Sequence, residues 1–354
     1  MYLLPIVFRP VFLEFLTGID AYLSRDVHVT HGNVGEIPTT VNLLRSLDLR
    51  QSAAAPAGLR VTAVEFQDKL LALAAQLDIP RRISFSIAAE GFDQLFEGKV
   101  SQSDYALHLR FDDTSNDIPF GQDHSWSAYY FLQSKIARTP GESSKRYNRP
   151  WGPDARFTQN RLQKDCIEFV RTLVGSKALR YNLYCPINAL SHVPKDQVLR
   201  KLRDFNSQYK DDWEYLEKAG LWITQSQPNT LGDLLKYDEN ETTYPWALFI
   251  SDHYFSERHQ YIDLNDVFFD KDTHREPEAA ERRGLFERQE SIIKRIREGI
   301  EKIREPKRSK QHKKLSALRQ FTKQGYRPTI TIDIAFPGYD HVHRFGKVDT
   351  PRVK

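Results

Sequence analysis

The hydrophobic period changes between residues 279 and 336, and this change constrains the fold more than any other feature of the chain. Over 279–304 the apolar residues Leu285, Ile292, Ile296, Ile300 and Ile303 fall on one helical face. Glu290–Lys294 and Glu298–Lys302 are i,i+4 pairs on its surface, worth roughly 0.2–0.5 kcal/mol each. Pro306 stops this helix, and a second helix is expected over 309–324 with Gly325 as its C-cap. TITIDIAF (329–336) then alternates with a period of two, which predicts a strand burying Ile330, Ile332, Ile334 and Phe336. A chain that carries both periods must set helices against a sheet.

The same mixture continues upstream. Val41–Arg50 has helical spacing and runs into a small-residue linker, SAAAPAG, at 52–58. Thr62 followed by Glu65 is a capping box, opening a helix that carries Phe66, Leu70, Leu73 and Leu77 and ends at Pro80. Strands are expected at 83–87 and 105–111. In the second, Tyr105, Leu107, Leu109 and Phe111 share one face, leaving His108 and Arg110 on the other. Helices are expected at 124–138 and 156–176 with a loop at 143–153 between them, then a strand at 179–185. Helices at 194–208 and 211–219 follow, and strands at 221–225 and 246–251.

MYLLPIVFRPVFLEFL at the N-terminus lacks a basic leader and a small-residue cleavage site, and Pro5, Arg9, Pro10 and Glu14 interrupt it. It reads as a buried first strand, not an export signal. No stretch approaches the roughly 18 uninterrupted apolar residues of a membrane span. With no βαβ period, internal repeat, GxGxxG or P-loop, the expected class is α+β. It combines mixed helices and a mainly antiparallel sheet with a C-terminal basic helical pair followed by a closing strand. Its 354 residues suggest two lobes, 1–120 and 121–354, the second holding the helical pair at 279–324. Cys166 and Cys185 offer neither metal spacing nor a disulfide framework, which points to the cytoplasm.

Charge is the main functional signal. From Lys302 to Arg327 ten Lys or Arg stand against one acid, Glu305. The segment is net +9 in a chain of net +4, so the remainder is net −5. A one-sign cluster attracts polyanions, nucleic acid above all. Lys307, Arg308, Lys310, Lys313, Lys314, Arg319 and Lys323 are the candidate phosphate contacts. The loop Lys145–Phe157 supports the same partner, with Lys145, Arg146, Arg149 and Arg156 alternating with Tyr147, Trp151 and Phe157. Arginines clamp phosphates while aromatics stack on unpaired bases, which favours RNA or single-stranded DNA over duplex. The expectation is a nucleic-acid-binding protein gripping the backbone along an electropositive groove, as a subunit of a larger nucleoprotein complex, with no membrane partner. A scaffold docking an acidic protein is the second account of the same charge.

A catalytic account rests on residues 252–272. Asp252 and His253 are expected at a strand end, followed by Glu257, His259, Asp263, Asp266, Asp270 and Asp272. Asp252, His253, His259 and Asp263 are the candidate catalytic set. Carboxylates and imidazoles of this kind can hold a divalent metal ion (Mg²⁺, Mn²⁺ or Zn²⁺) and activate water for phosphodiester cleavage. No HExxH and no complete nuclease signature is present, and ordinary acidic surface has the same composition. His341-Val-His343 resembles the paired metal ligands of rolling-circle nicking enzymes, although the chain ends eleven residues later. His28-Val-Thr30 resembles half of a two-histidine phosphoesterase motif without its second half. His28 and His31 are therefore expected in a turn or core, and Asp112, Asp113 and Asp117 in a solvated turn after Phe111. No G-x-S-x-G is present.

Overall fold

The chain enters its fold as a helix. The computed structural model describes residues 4–49, 56, 58–77, 84–89, 103–113, 126–140, 150–158, 160–174, 179–204, 210–236, 243–255, 294–300, 302–303 and 330–336. Helix α1 spans Arg9–Thr30 and takes Pro10 in its first turn, where proline's missing N–H has no intrahelical partner to lose. Phe12, Phe15, Leu16, Ile19, Leu23 and Val27 recur at helical spacing and are buried. This corrects the expected first strand: a short, mostly apolar run carries too few polar residues for its period to be read. α1 ends at His31, in the left-handed region at φ 53°, followed by Gly32 at φ 76°. A Cβ on Gly32 would lie 2.1 Å from the Ala137 carbonyl oxygen, so only glycine lets the chain turn there.

Helices α2 (Glu36–Leu47) and α3 (Ala63–Gln76) follow. The capping box forms as the residues require, with the Glu65 N–H donating to Thr62 Oγ1 and the Thr62 N–H donating to Glu65 Oε2 at 2.8 Å. Phe66 of α3 stacks on Phe15 at 4.4 Å and meets Phe12 edge-on at 5.0 Å, docking α3 on α1.

The strands are β1 (Ser84–Ala89), β2 (Tyr105–Asp113), β3 (Trp126–Arg138), β4 (Arg156–Phe157), β5 (Leu179–Tyr184), β6 (Leu221–Thr224), β7 (Thr243–Pro245) and β8 (Ile330–Phe336). They form one sheet in the order β1-β8-β2-β3-β5-β6-β7, with β4 on β3. Among these pairings β2–β8 and β3–β5 are parallel and the others antiparallel, so the class is α+β with a mixed, mainly antiparallel sheet. The last described strand, β8, lies within the sheet. It inserts between β1 and β2, with Ile332 beside Leu109 and Ile334 beside Phe111, so one sheet joins residues from both sides of position 120. In β2, Tyr105, Leu107, Leu109 and Phe111 are buried while His108 and Arg110 are half-buried, as the alternation predicts.

Two further expectations are corrected. Residues 126–138 are the central strand β3, not a helix. Lying between β2 and β5, β3 buries both its faces, so polar Gln133, Ser134 and Lys135 are enclosed and the alternation disappears. All three residues are tied in, although Gln133 Oε1 itself has no hydrogen-bond partner among the described residues: Asp104 accepts from Gln133 Nε2 and the Ser134 N–H, Thr40 donates to Ser134, and Lys135 reaches Gln163 at 3.1 Å and Glu36 at 3.4 Å. Residues 246–251 belong to a helix, not a strand. After α4 (Arg161–Val174), α5 (Lys195–Asp204) and α6 (Lys210–Lys218), helix α7 spans Trp246–Phe255 with all ten residues buried. A helix enclosed on every side, with Ser251, Asp252 and His253 buried among its apolar residues, has no stripe to betray it. Arg156 and Phe157, expected at the start of a helix, form β4 instead.

Beyond α7, residues 294–300 are helical and bury Ile296 and Ile300. Gly299 lies against the Phe169 ring of α4, where a Cβ would come within 2.1 Å of ring carbons. The basic helix expected at 309–324 lies outside the described residues.

Buried polar ties lock α1 to α6 and β6. Arg9 pairs with Asp212, and Asp20 accepts from the Tyr215 hydroxyl, from the Gly220 N–H at 3.1 Å and from the Leu221 N–H at 3.0 Å. Burial pushes the Asp20 carboxyl up to about 6 against the pull of these donors.

Candidate nucleic-acid interface

The basic-aromatic loop proves to be the connection of a hairpin. β3 ends at Arg138, β4 begins at Arg156, and the two pair antiparallel, Ala137 opposite Phe157 and Arg138 opposite Arg156. The chain joining them therefore carries Lys145, Arg146, Tyr147, Arg149 and Trp151. Its described end is fixed on both sides. Arg156 also bridges Thr230, the Phe157 N–H donates to Asn229 O at 3.1 Å, and the Gly232 N–H donates to Pro153 O at 2.9 Å. Ala155 and Phe157 are buried, whereas Arg156 between them is exposed. Phe157 is thus a core residue, which corrects its expected role as a stacking surface.

Trp151 is half-buried and anchors the loop to the end of α1. Its indole N–H donates to His28 O at 3.1 Å, and its ring lies nearly parallel to His31, 8° apart at 5.8 Å. The ring of His28 stands 6.1 Å away. His28 is in the last turn of α1 and His31 is its left-handed cap, the turn environment expected of them. His192, half-buried near His28, has its pKa lowered by burial and by that neighbouring imidazole.

Lys145, Arg146, Tyr147 and Arg149 lie outside the described residues. So do Lys307, Arg308, Lys310, Lys313, Lys314, Arg319 and Lys323, and also His259, Asp263, His341 and His343. Arg138 is the residue that sequence reasoning missed. It sits in a segment expected to be helical, and its relation to Arg156 exists only through strand register. The signal that could have found it is the aromatic, β-prone run Tyr129–Phe131, which is strand composition.

The described half of the candidate catalytic set sits in the core. Asp252 and His253 are on buried α7, not at a strand end. Phe249 O can only accept, so His253 Nδ1 donates to it at 2.6 Å, and Nε2 accepts from the Tyr130 hydroxyl at 2.7 Å. Both ring nitrogens are occupied, and burial holds the imidazole neutral by pushing its pKa down to about 3. Among the described residues no group of three or more His, Cys, Asp or Glu is placed to hold a metal ion. Both cysteines are buried, and burial raises the Cys185 thiol well above its usual range.

A groove of about 1090 Å³ runs along α1 and is lined from Pro10 to Val29. Its rim mixes Arg25, Arg60 and Lys218 with Glu14, Asp26 and Glu214, so it presents no single sign of charge. No described helix is long and apolar enough to cross a membrane. The chain matches no protein-family model, no curated protein and no solved structure.

Proposed function

We propose that this protein binds nucleic acid through the phosphate backbone, with RNA or single-stranded DNA preferred to duplex. The segregation of charge carries this reading: net +9 between Lys302 and Arg327 in a chain whose remainder is net −5. Scattered charge would serve solubility equally well, whereas one concentrated patch focuses a potential on a polyanion. The chain on either side of this run is anchored to the folded body. Before it, Ile296, Ile300 and Gly299 dock the 294–300 helix on the core and on Phe169; after it, β8 enters the middle of the sheet. The basic hairpin connection adds a second cationic element with aromatics interleaved, the composition suited to unpaired bases.

Charge reversal tests this directly. Replacing Lys310, Lys313 and Lys314 together by Glu is expected to weaken binding to all sequences alike and to flatten its salt dependence. Unchanged affinity in fluorescence anisotropy would move the binding surface elsewhere.

A further inference from the structure

We infer that Arg138 and Arg156, paired across the base of the β3–β4 hairpin, form a two-arginine clamp for a phosphodiester group. This deepens the nucleic-acid reading above and rests on it. Residues directly opposite in an antiparallel pair project to the same side, with Cβ atoms about 4.5–5.5 Å apart, and like charges so placed repel. Both arginines are exposed, and neither forms an ion pair with any described residue. Asp154, the carboxylate among the loop's described residues, turns back over Gly152: its Oδ1 lies 2.9 Å from where a Gly152 Cβ would stand.

The backbone beneath the pair is held firmly. Arg156 sits between β3 and Thr230, with buried Ala155 and Phe157 on either side, and Gly32 packs against Ala137 O and the Arg138 Cγ. A repulsive pair fixed in this way is preorganised for a ligand that supplies the missing anion. Guanidinium groups offer planar forks of N–H donors, and a phosphate can accept from two of them at once. Gly32 also brings the end of α1 to this spot, so the His31–Trp151 stack lies beside the clamp. The connection that leaves it carries Lys145, Arg146 and Arg149. The hairpin base is thus a cationic site on the folded body, separate in sequence from the 302–327 run.

The test compares the wild-type chain with Arg138→Thr/Arg156→Thr and Arg138→Lys/Arg156→Lys in anisotropy titrations of labelled single-stranded RNA over a salt series. The Thr pair is expected to weaken binding and to reduce the slope of log K against log salt by about 1 for each arginine. Its melting temperature in ligand-free, low-salt buffer should hold or rise, because a repulsion has been removed. The Lys pair keeps the charge but loses the fork, so it should retain most of the slope and lose affinity. Wild-type affinity and slope in the Thr pair, with binding still lost on reversal of Lys310, Lys313 and Lys314, would overturn the clamp alone. A wild-type chain that binds no RNA would overturn both it and the broader reading.

Discussion

Two buried titratable side chains set opposite limits on stability. His253 ordinarily titrates near 6.5 but is pushed down to about 3 in the fold, chiefly by burial. Below pH 6.5 the unfolded chain takes up a proton that the folded chain refuses, so stability is lost as pH falls from 6.5 towards 3. At its steepest this one group contributes about 1.4 kcal/mol per pH unit. His253→Gln keeps a donor and an acceptor at the site, and the acid limb of a chemical-denaturation pH series should flatten in that variant. Asp20 acts in the other direction. Its carboxyl is raised from 3.8 to about 6, so its favourable contribution is complete below the lower value and lost as pH rises through the upper one. Tyr215→Phe removes a hydrogen bond to that carboxylate and should destabilise the chain by about 1–3 kcal/mol at pH 7. The loss should grow as pH rises through 6, because the deleted donor favoured the ionised form. A loss independent of pH would show that the hydroxyl matters for packing, not for the charge.

At the scale of elements, the helix leading into the basic run is held by a glycine. Gly299→Ala should destabilise the chain by about 1–3 kcal/mol, the usual cost of overpacking, since the new Cβ meets the Phe169 ring. Adding Phe169→Ala should recover part of that loss, and a double-mutant cycle in urea would measure the coupling. A Gly299→Ala chain as stable as wild type would contradict this docking. The elements legible in the sequence were those half exposed to water. The capping box at Thr62 and Glu65, the alternation of β2 and the stripe Ile296–Ile300 each keep a polar side that reveals the period. β3 and α7 hide their period for the converse reason, and α1 because its opening run is mostly apolar. The opening of α1 is mostly apolar up to Leu16, β3 encloses Lys135 and Gln133, and α7 has no exposed face. Register was harder still, since nothing local announces that Arg138 faces Arg156 or that β8 threads between β1 and β2. The charge asymmetry, by contrast, needs no fold to be seen.

For the whole molecule, charge and topology belong to one account. The chain, net acidic outside one segment, carries a basic run in sequence between two parts of the folded body, the 294–300 helix and β8. A hairpin with arginines paired at its base adds a second cationic element. An acidic protein partner would also be drawn to such charge, but it would not reproduce the counterion release of a phosphate backbone, nor a preference for unpaired bases. The most direct measurement is an anisotropy titration of the full chain with labelled single-stranded RNA, single-stranded DNA and duplex DNA, from low salt to about 0.2 M. The expected result is binding whose log K falls linearly with log salt, tighter for the single strands than for the duplex. No binding to any of the three at the lowest salt would contradict the account.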